Sequence, residues 1–457
     1  MKFSQYHLST DELNDWNMPN KRIIFSTRSG TSILLEEPIY QQAIKNDFSS
    51  IPKEIYNTLL SKEFIVPQDQ DEYQHVVVKN KQKREEANFL SMTIQPTANC
   101  QLGCHYCGQT HSTDYAKDDV IEKYVERIES IFSKKTVYNG LSITWYGGEP
   151  LMGYSSIVKA SKKMRAACES RGFHYMSNMI TNGVSLKPKL FEELVNTCRV
   201  TNYQITLDGT AKSHNQRRVT KKGGAGTFDI IIKNILAVTS MPLFEEENCG
   251  ITIRVNIDKT NSDEVEALID FINDNKLQGK VSIYFAPITD FGGNDASKDS
   301  LSLEDFAQRE IDWLFKCYEY GISISEILPR RSYSVCMVQN EDSEVWDAYG
   351  NIYTCWEFPY TEYSSDEHKI GNLFKPEETY NKNATLRNWA EVVDKGDVWC
   401  KTCELLPVCN GGCPKIWEEG NPACPPFKSN YKEKLALDYF IRKSADETEE
   451  NKDLISA

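Results

Sequence analysis

The chain has 457 residues and a formal charge of −14, from 52 basic and 66 acidic side chains with no long basic stretch. Nucleic-acid affinity rests on neutralised phosphates, so this balance argues against a protein that wraps DNA or RNA. The length exceeds one typical domain and predicts two or three folding units, each large enough to bury its own core.

The first twenty residues carry Asp11, Glu12 and Asp15 and lack an apolar segment, so no secretory signal is readable and a cytoplasmic location is expected. No run approaches the roughly 18 apolar residues that span a bilayer. The nearest, Asp229 to Val238, is broken by Lys233 and Asn234. Fourteen cysteines in such a chain read as metal ligands before disulfides, because cytosolic thiols stay reduced. Ten fall in two dense sets, Cys100 to Cys107 and Cys336 to Cys424, while Cys168, Cys198, Cys249 and Cys317 read as small core residues.

In chain order, two short strands (Arg22 to Ser26, Ser32 to Leu35) joined through Ser29-Gly30, with helices near Tyr40 and Ile55, predict a small separate α+β module. Lys79 to Ala87 is charged and reads as a linker or an exposed helix end. From Asn88, strands alternate with helices: Leu90 to Ile94, helix 117–134, Leu141 to Tyr146, helix 154–170, His174 to Ile180 and helix 187–197. Gln204 to Leu207, helix 227–239, Ile251 to Ile257, helix 262–275 and Val281 to Phe285 complete about six β-α units. That alternation predicts an α/β fold, a partial (β/α)6 barrel with its chemistry at the C-terminal strand ends.

After Asp290 a polar loop and a helix from Leu303 to Tyr320 lead into a cysteine- and turn-rich segment ending at Pro426. Its core is thin in aliphatics, so bound clusters would supply part of its folding free energy. A helix from Tyr431 to Arg442 precedes the acidic tail DETEENKDLISA, expected to be disordered. The division is 1–87, an N-terminal module and linker; 88–290, the partial barrel; 291–335, a bridging region; 336–426, an iron-sulfur domain; and 427–457, a helix and tail.

The first cysteine set, Cys100, Cys104 and Cys107, directly follows the first barrel strand. Three thiolates can ligate three irons of a cubane and leave the fourth open to chelate the amino and carboxylate groups of S-adenosylmethionine. Gly103 would let the loop turn tightly. Taken alone, three cysteines also suit zinc. Gly147-Gly148-Glu149-Pro150 follows the second strand, with glycines for close backbone approach and carbonyl and carboxylate acceptors for an ammonium group. Thr181-Asn182-Gly183 follows the third strand, and Thr206-Leu207-Asp208-Gly209 the fourth, with His214 and Arg218 beyond. Arg254 and Asn256 could face the cavity or pair within the core.

With these motifs in this order the chain resembles the radical S-adenosylmethionine (radical SAM) superfamily from about Asn88 to Pro426. The resemblance implies a 4Fe-4S cluster on Cys100, Cys104 and Cys107. It implies cofactor contacts from Gly147, Gly148, Glu149 and Pro150, from Thr206 and Arg218 to the ribose and carboxylate, and from Tyr106 beside the adenine. Asn182 and Asp208 join this set, although taken bare they read equally as turn residues.

The second set, Cys336, Cys355, Cys400, Cys403, Cys409, Cys413 and Cys424, resembles the SPASM extension, a carrier of two auxiliary 4Fe-4S clusters. By that resemblance Cys336, Cys355 and Cys413 serve one, with a fourth ligand unassigned, and Cys400, Cys403, Cys409 and Cys424 complete the other. The spacing of Cys400, Cys403, Cys409 and Cys413 is also compatible with zinc. Gly411 and Gly412 suit a backbone that wraps a bulky cluster.

Enzymes with this extension modify peptides or proteins. The reading is a peptide maturase that abstracts hydrogen from a ribosomally made precursor and installs a thioether or carbon-carbon crosslink. Its electron would come from a ferredoxin or flavodoxin, and residues 21–71 would grip the precursor's leader as an added strand. The alternative is an anaerobic sulfatase-maturating enzyme, whose family places an aspartate base directly after the cysteine equivalent to Cys355. Here that position is Trp356, and Glu357, one residue later, would point to the opposite face if it were on a strand. A non-catalytic iron-sulfur scaffold or electron carrier is the second alternative, disfavoured by the cofactor-pocket motifs. Lys162, Lys163 and Arg165 read as a solvated helix face before a reductant-docking patch. No catalytic acid or base is assigned.

Overall fold

In a computed structural model the chain is described over residues 1–14, 18–291, 295–361, 368–376 and 385–455. Six strands dominate it: β1 (Phe89–Ile94), β2 (Gly140–Trp145), β3 (His174–Thr181), β4 (Val200–Thr206), β5 (Gly250–Ile257) and β6 (Val281–Pro287). They lie side by side in chain order, each parallel to the next. Helices Asp118–Lys134, Tyr154–Glu169, Pro188–Asn196, Phe228–Thr239 and Val265–Asp274 make the crossovers that parallel pairing requires.

Side-chain alternation assigns the two faces of this sheet. In β5, Ile251, Ile253, Val255 and Ile257 are buried in the main apolar core, whereas Arg254 and Asn256 line a cavity on the other face. In β4, Tyr203 and Ile205 take the core side and Gln204 and Thr206 the cavity side. Cys168, Cys198, Cys249 and Cys317 are all buried in that core, as small apolar residues.

The cysteine-rich segment extends the same sheet, which its sequence does not announce. Val345–Trp346 pairs parallel with β1, and Asn351–Tyr353 and Lys369–Asn372 follow antiparallel. Strands of two to four residues are too short to show a period. Trp346 stacks on Tyr124 with centroids 5.3 Å apart, tying the added strand to the first crossover helix.

The N-terminal sheet of His7–Ser9, Lys21–Ser26 and Thr31–Glu36 carries helices Glu37–Ile44 and Lys53–Ser61 against it. It does not stand apart, contrary to the expectation of a separate module. Leu8, Ile23 and Phe25 share one cluster with Leu405, Phe427 and Leu435. Tyr6, Tyr73 and Val76 share another with Trp389, Val393 and Leu406. Lys79 to Glu85, within the stretch read as a linker or an exposed helix end, close helix Glu72–Glu85, whose Asn80 Nδ2 donates to Asn410 Oδ1 at 2.7 Å. The N-terminal unit thus supplies apolar surface that the cysteine-rich segment lacks.

Two further expectations are corrected. The acidic tail is helical through Ile455, continuing a helix from Phe427 that is interrupted only at Asn430; Ser456 and Ala457 lie outside the described residues. The tail has no proline or glycine to stop a helix and carries three Glu, a good helix former. Gly103 makes no tight turn, because it sits in a short strand, Leu102–Cys104, paired antiparallel with Arg218–Thr220. A Cβ there would meet only Lys221, at an ordinary 3.5 Å. No described helix is long and apolar enough to cross a membrane.

Candidate functional site

The motifs from Cys100 to Arg218 lie at or beyond the C-terminal ends of sheet strands, and most of them border one cavity. Cys100, Cys104, Cys107, Tyr106, Gly148, Asn182, Thr206 and Arg218 line it, with Arg254 and Asn256 of β5 and Pro287 of β6. Gly147, Glu149, Pro150 and Asp208 stand just behind the wall and are not part of the lining.

The turn after β2 is tightly specified. Gly147 and Gly148 have φ of 79° and 35°, and a Cβ on Gly148 would come within 2.6 Å of the Asn99 carbonyl oxygen. Glu149 is fully buried, and its carboxylate accepts from Thr181 Oγ1 at 2.6 Å, Asn182 N at 2.7 Å and Leu151 N at 3.0 Å. Burial raises its pKa, and these three bonds oppose the rise. The carboxylate therefore fastens the end of β3 to the glycine turn. Gly148 N in turn donates to Gln109 Oε1 at 3.0 Å, a contact no sequence pattern marks.

A second network holds the cysteine loop against β4 and β5. Tyr106 donates its hydroxyl hydrogen to Asp208 Oδ2 at 2.6 Å and accepts from Arg218 Nη1 at 2.6 Å and Asn256 Nδ2 at 3.1 Å. Asp208 also accepts from Asn256 N at 3.1 Å. Arg217 was missed: it is buried, ion-paired to Asp258 at 2.7 Å, and its guanidinium lies 5.5 Å from the Tyr106 ring centroid. An arginine next to the singled-out Arg218 gave no separate signal.

His214 is internal support. Its Nδ1 accepts from Asp208 N at 3.2 Å, its Nε2 meets Thr227 Oγ1 at 3.0 Å, and no part of it is exposed. Burial, then Arg218 and Arg217, push its pKa down to about 3. Protonation is thus easier in the unfolded chain, so stability is lost as pH falls below the unfolded pKa. The loss from this group is on the order of 1.4 kcal/mol per pH unit. Urea unfolding at pH 7.5 and 5.5 should give His214→Gln a shallower pH dependence than the native chain; equal slopes would contradict this assignment.

The donor set suits an iron-sulfur cluster. Burial pushes the Cys100 thiol up to about 12, the Cys104 thiol up to about 11 against the pull of Arg218, and the Cys107 thiol upward. Three thiolates so close in a half-buried loop need a cationic core to be stable. Asn182 Nδ2 and Leu102 N lie 3.9 Å and 3.4 Å from Cys100 Sγ as donors to a thiolate. Arg218 Nε is buried without a hydrogen-bond partner in the cavity wall, a donor suited to a carboxylate.

The remaining seven cysteines separate into two groups. Cys355 lies within electrostatic range of Cys336 and Cys413, and burial drives its pKa well above the usual value. Cys400, Cys403, Cys409 and Cys424 line one small pocket, where burial pushes Cys409 up to about 12. Cys413 is not in that lining, so the four-cysteine set 400, 403, 409 and 413 is not the one brought together. Among the described residues no group of three or more His, Cys, Asp or Glu is arranged to hold a single metal ion. A Cβ on Gly412, whose φ is 73°, would overlap the Ala423 carbonyl oxygen, so this glycine permits the close approach of the Cys424 segment.

Glu357 does not meet the condition attached to it. It follows Cys355 in a turn, not a strand, and it is the only carboxylate lining the main cavity among the described residues. Burial raises its pKa against the pull of Arg254 and Lys415. The helix patch is compensated: Lys163 pairs with Glu122 at 2.6 Å and Arg165 donates to the Asn196 and Thr197 carbonyls.

Fold and cavity define an α/β protein with a thiol-lined reaction site at the C-terminal strand ends. Residues 94–272 match the model of the radical SAM superfamily. That stretch is a radical SAM domain and the chain is an enzyme; members of the superfamily bind S-adenosylmethionine and a 4Fe-4S cluster. It is 26% identical over 396 residues to the cysteine-type anaerobic sulfatase-maturating enzyme of Clostridium novyi (strain NT), covering 78% of this chain and 98% of that protein. To the sporulation killing factor maturation protein SkfB of Bacillus subtilis (strain 168) it is 24% identical over 181 residues, 40% of this chain and 39% of the relative. The structure of native anSMEcpe with bound AdoMet shares the fold, with TM-score 0.59 at 20% identity over 79% of this chain and 100% of the other.

Proposed function

We propose that this enzyme is a peptide maturase that removes two hydrogens from a ribosomally made precursor and closes a thioether or carbon-carbon crosslink. The observation that carries this reading is the N-terminal sheet. Among the described residues its strand Thr31–Glu36 pairs on one side only, and Ile33, Leu35, Ile39 and Ile55 line a groove beside it. An open edge with an adjoining apolar groove is suited to a leader peptide bound as an added strand.

In this reading Cys100, Cys104 and Cys107 hold the radical cluster, and Arg218, Thr206 and Asn182 orient the cofactor from the wall. Tyr106 is placed by Asp208 and Asn256 at the adenine side, and Glu149 fixes the glycine turn. When bound, cluster and cofactor supply the one-electron chemistry that starts hydrogen abstraction. The six sequential strands act as a partial barrel, and the seven later cysteines would carry two auxiliary 4Fe-4S clusters in a SPASM domain. A ferredoxin or flavodoxin would reduce the Cys100 cluster; the first hydrogen would leave as an atom to the adenosyl radical, and the second as a proton with its electron passing to an auxiliary cluster. Glu357, placed between the two cysteine sites, stands where a substrate proton can be taken.

A second reading, sulfatase maturation, is favoured by the extent of similarity to the Clostridium novyi enzyme. Trp356 at the expected aspartate position weighs against it. Anaerobic co-expression with each short reading frame beside the gene, followed by mass spectrometry, decides between them. The maturase reading predicts a loss of two hydrogens with an internal crosslink. A peptide left unchanged, while a sulfatase-derived cysteine or serine peptide becomes formylglycine, would overturn it.

A further inference from the structure

One flank of β6 is open beside the reaction cavity. β6 pairs with Ser323–Ile324 only through Ser282 and Ile283, with Ser325 N donating to the Ile283 carbonyl at 3.2 Å. Backbone groups of alternate strand residues face the same neighbour, so those of Phe285 and the carbonyl of Pro287 face this flank as well. No described strand pairs with them there. A groove lined by Tyr284, Phe285, Ser325, Ile327, Pro329 and Phe427 runs along it.

Both ends of the groove lead to places already described. At the inner end, Pro287 lines this groove and the cavity of Cys100, Cys104 and Cys107 together. Tyr284, 40% exposed in the groove, has its ring 5.5 Å from the guanidinium of Arg254, which lines the cavity. At the outer end, Phe427 packs in one cluster with Leu328 and Leu34, and Leu34 belongs to the open N-terminal strand and lines its groove.

The chemistry of the groove selects its occupant. Its charges are internally neutralised, Glu310 by Lys434 at 2.8 Å and Glu326 by Arg330 at 3.3 Å, so it has little to offer a nucleotide or an acidic reductant. Unpaired strand groups flanked by aromatic and proline side chains match an extended polypeptide.

We propose that this groove carries the stretch of precursor peptide between the leader held at Thr31–Glu36 and the residue that reacts, bonded as an added strand to Phe285. The inference rests on the peptide-maturase reading. The groove shortens the search of a tethered core segment for the cavity by guiding it along one wall.

The test uses the full-length, anaerobically reconstituted enzyme and, as probe, the synthetic precursor peptide identified by the mass measurement above. Ser325 is exposed, so Ser325→Trp can fill the groove without disturbing the core. The expected result is a loss of peptide modification of at least about tenfold, with iron content and affinity for a labelled leader fragment retained. Hydrogen exchange at the Phe285 amide of the native enzyme should also slow when the full peptide binds, and this readout decides the matter if the variant fails to fold. Native modification rates in the variant together with unslowed exchange would overturn the proposal. So would slower reduction by flavodoxin with normal turnover in dithionite, which would make the groove a reductant surface. Failure of the maturase reading is distinct, because the native enzyme would then leave the peptide mass unchanged.

Discussion

Replacing Cys104 by Ala is expected to end reductive cleavage of S-adenosylmethionine, with 5'-deoxyadenosine formation falling by at least about three orders of magnitude. The reason is local. Cys104 is paired in the short strand against Arg218, the same residue whose Nη1 donates to Tyr106 and whose Nε is left for a ligand. Loss of this thiolate removes one of three anchors of the cluster and the counter-charge of Arg218 together. Anaerobic chromatography of the nucleoside product checks it, and cleavage at native rates in the variant would contradict the assignment of the loop.

Replacing Cys355 and Cys413 by Ala should split the reaction in two. Peptide crosslinking is expected to vanish, while peptide-independent 5'-deoxyadenosine formation stays within about tenfold of the native rate. Cys355 lies in range of Cys336 and Cys413 and outside the Cys100 loop. The variants therefore leave the cofactor wall of Asn182, Thr206 and Arg218 intact. Product mass and nucleoside yield measured in one anaerobic assay check the split. A double variant that still crosslinks the peptide would remove the auxiliary site from the reaction.

How far the sequence was legible depends on the range of the interactions involved. The six β-α units were readable because each strand and helix is long enough to display its own period, as in β5, where Ile251, Ile253, Val255 and Ile257 alternate with Thr252, Arg254 and Asn256. The later cysteines were grouped by family resemblance, whereas spacing alone pointed to Cys400, Cys403, Cys409 and Cys413, a set that the chain does not bring together. The division of the later seven into groups around Cys355 and around Cys409 matches the grouping seen in space. The structural side of Glu149 was not readable, because only the fold shows its carboxylate accepting from Thr181, Asn182 and Leu151. Glu357 could be placed only conditionally, because its facing depended on whether a strand or a turn follows Cys355, and the chain turns there. The N-terminal unit looked separate because the contacts that bind it, such as Asn80 with Asn410, join residues 330 positions apart.

The central claim is that Cys100, Cys104 and Cys107 leave one iron of a 4Fe-4S cluster open to S-adenosylmethionine. Anaerobically reconstituted protein, reduced and examined by electron paramagnetic resonance with and without the cofactor, tests it most directly. The account predicts a reduced-cluster signal that shifts when S-adenosylmethionine is added and disappears in Cys104→Ala. A cluster signal indifferent to the cofactor, or stoichiometric zinc at these three cysteines, would contradict it.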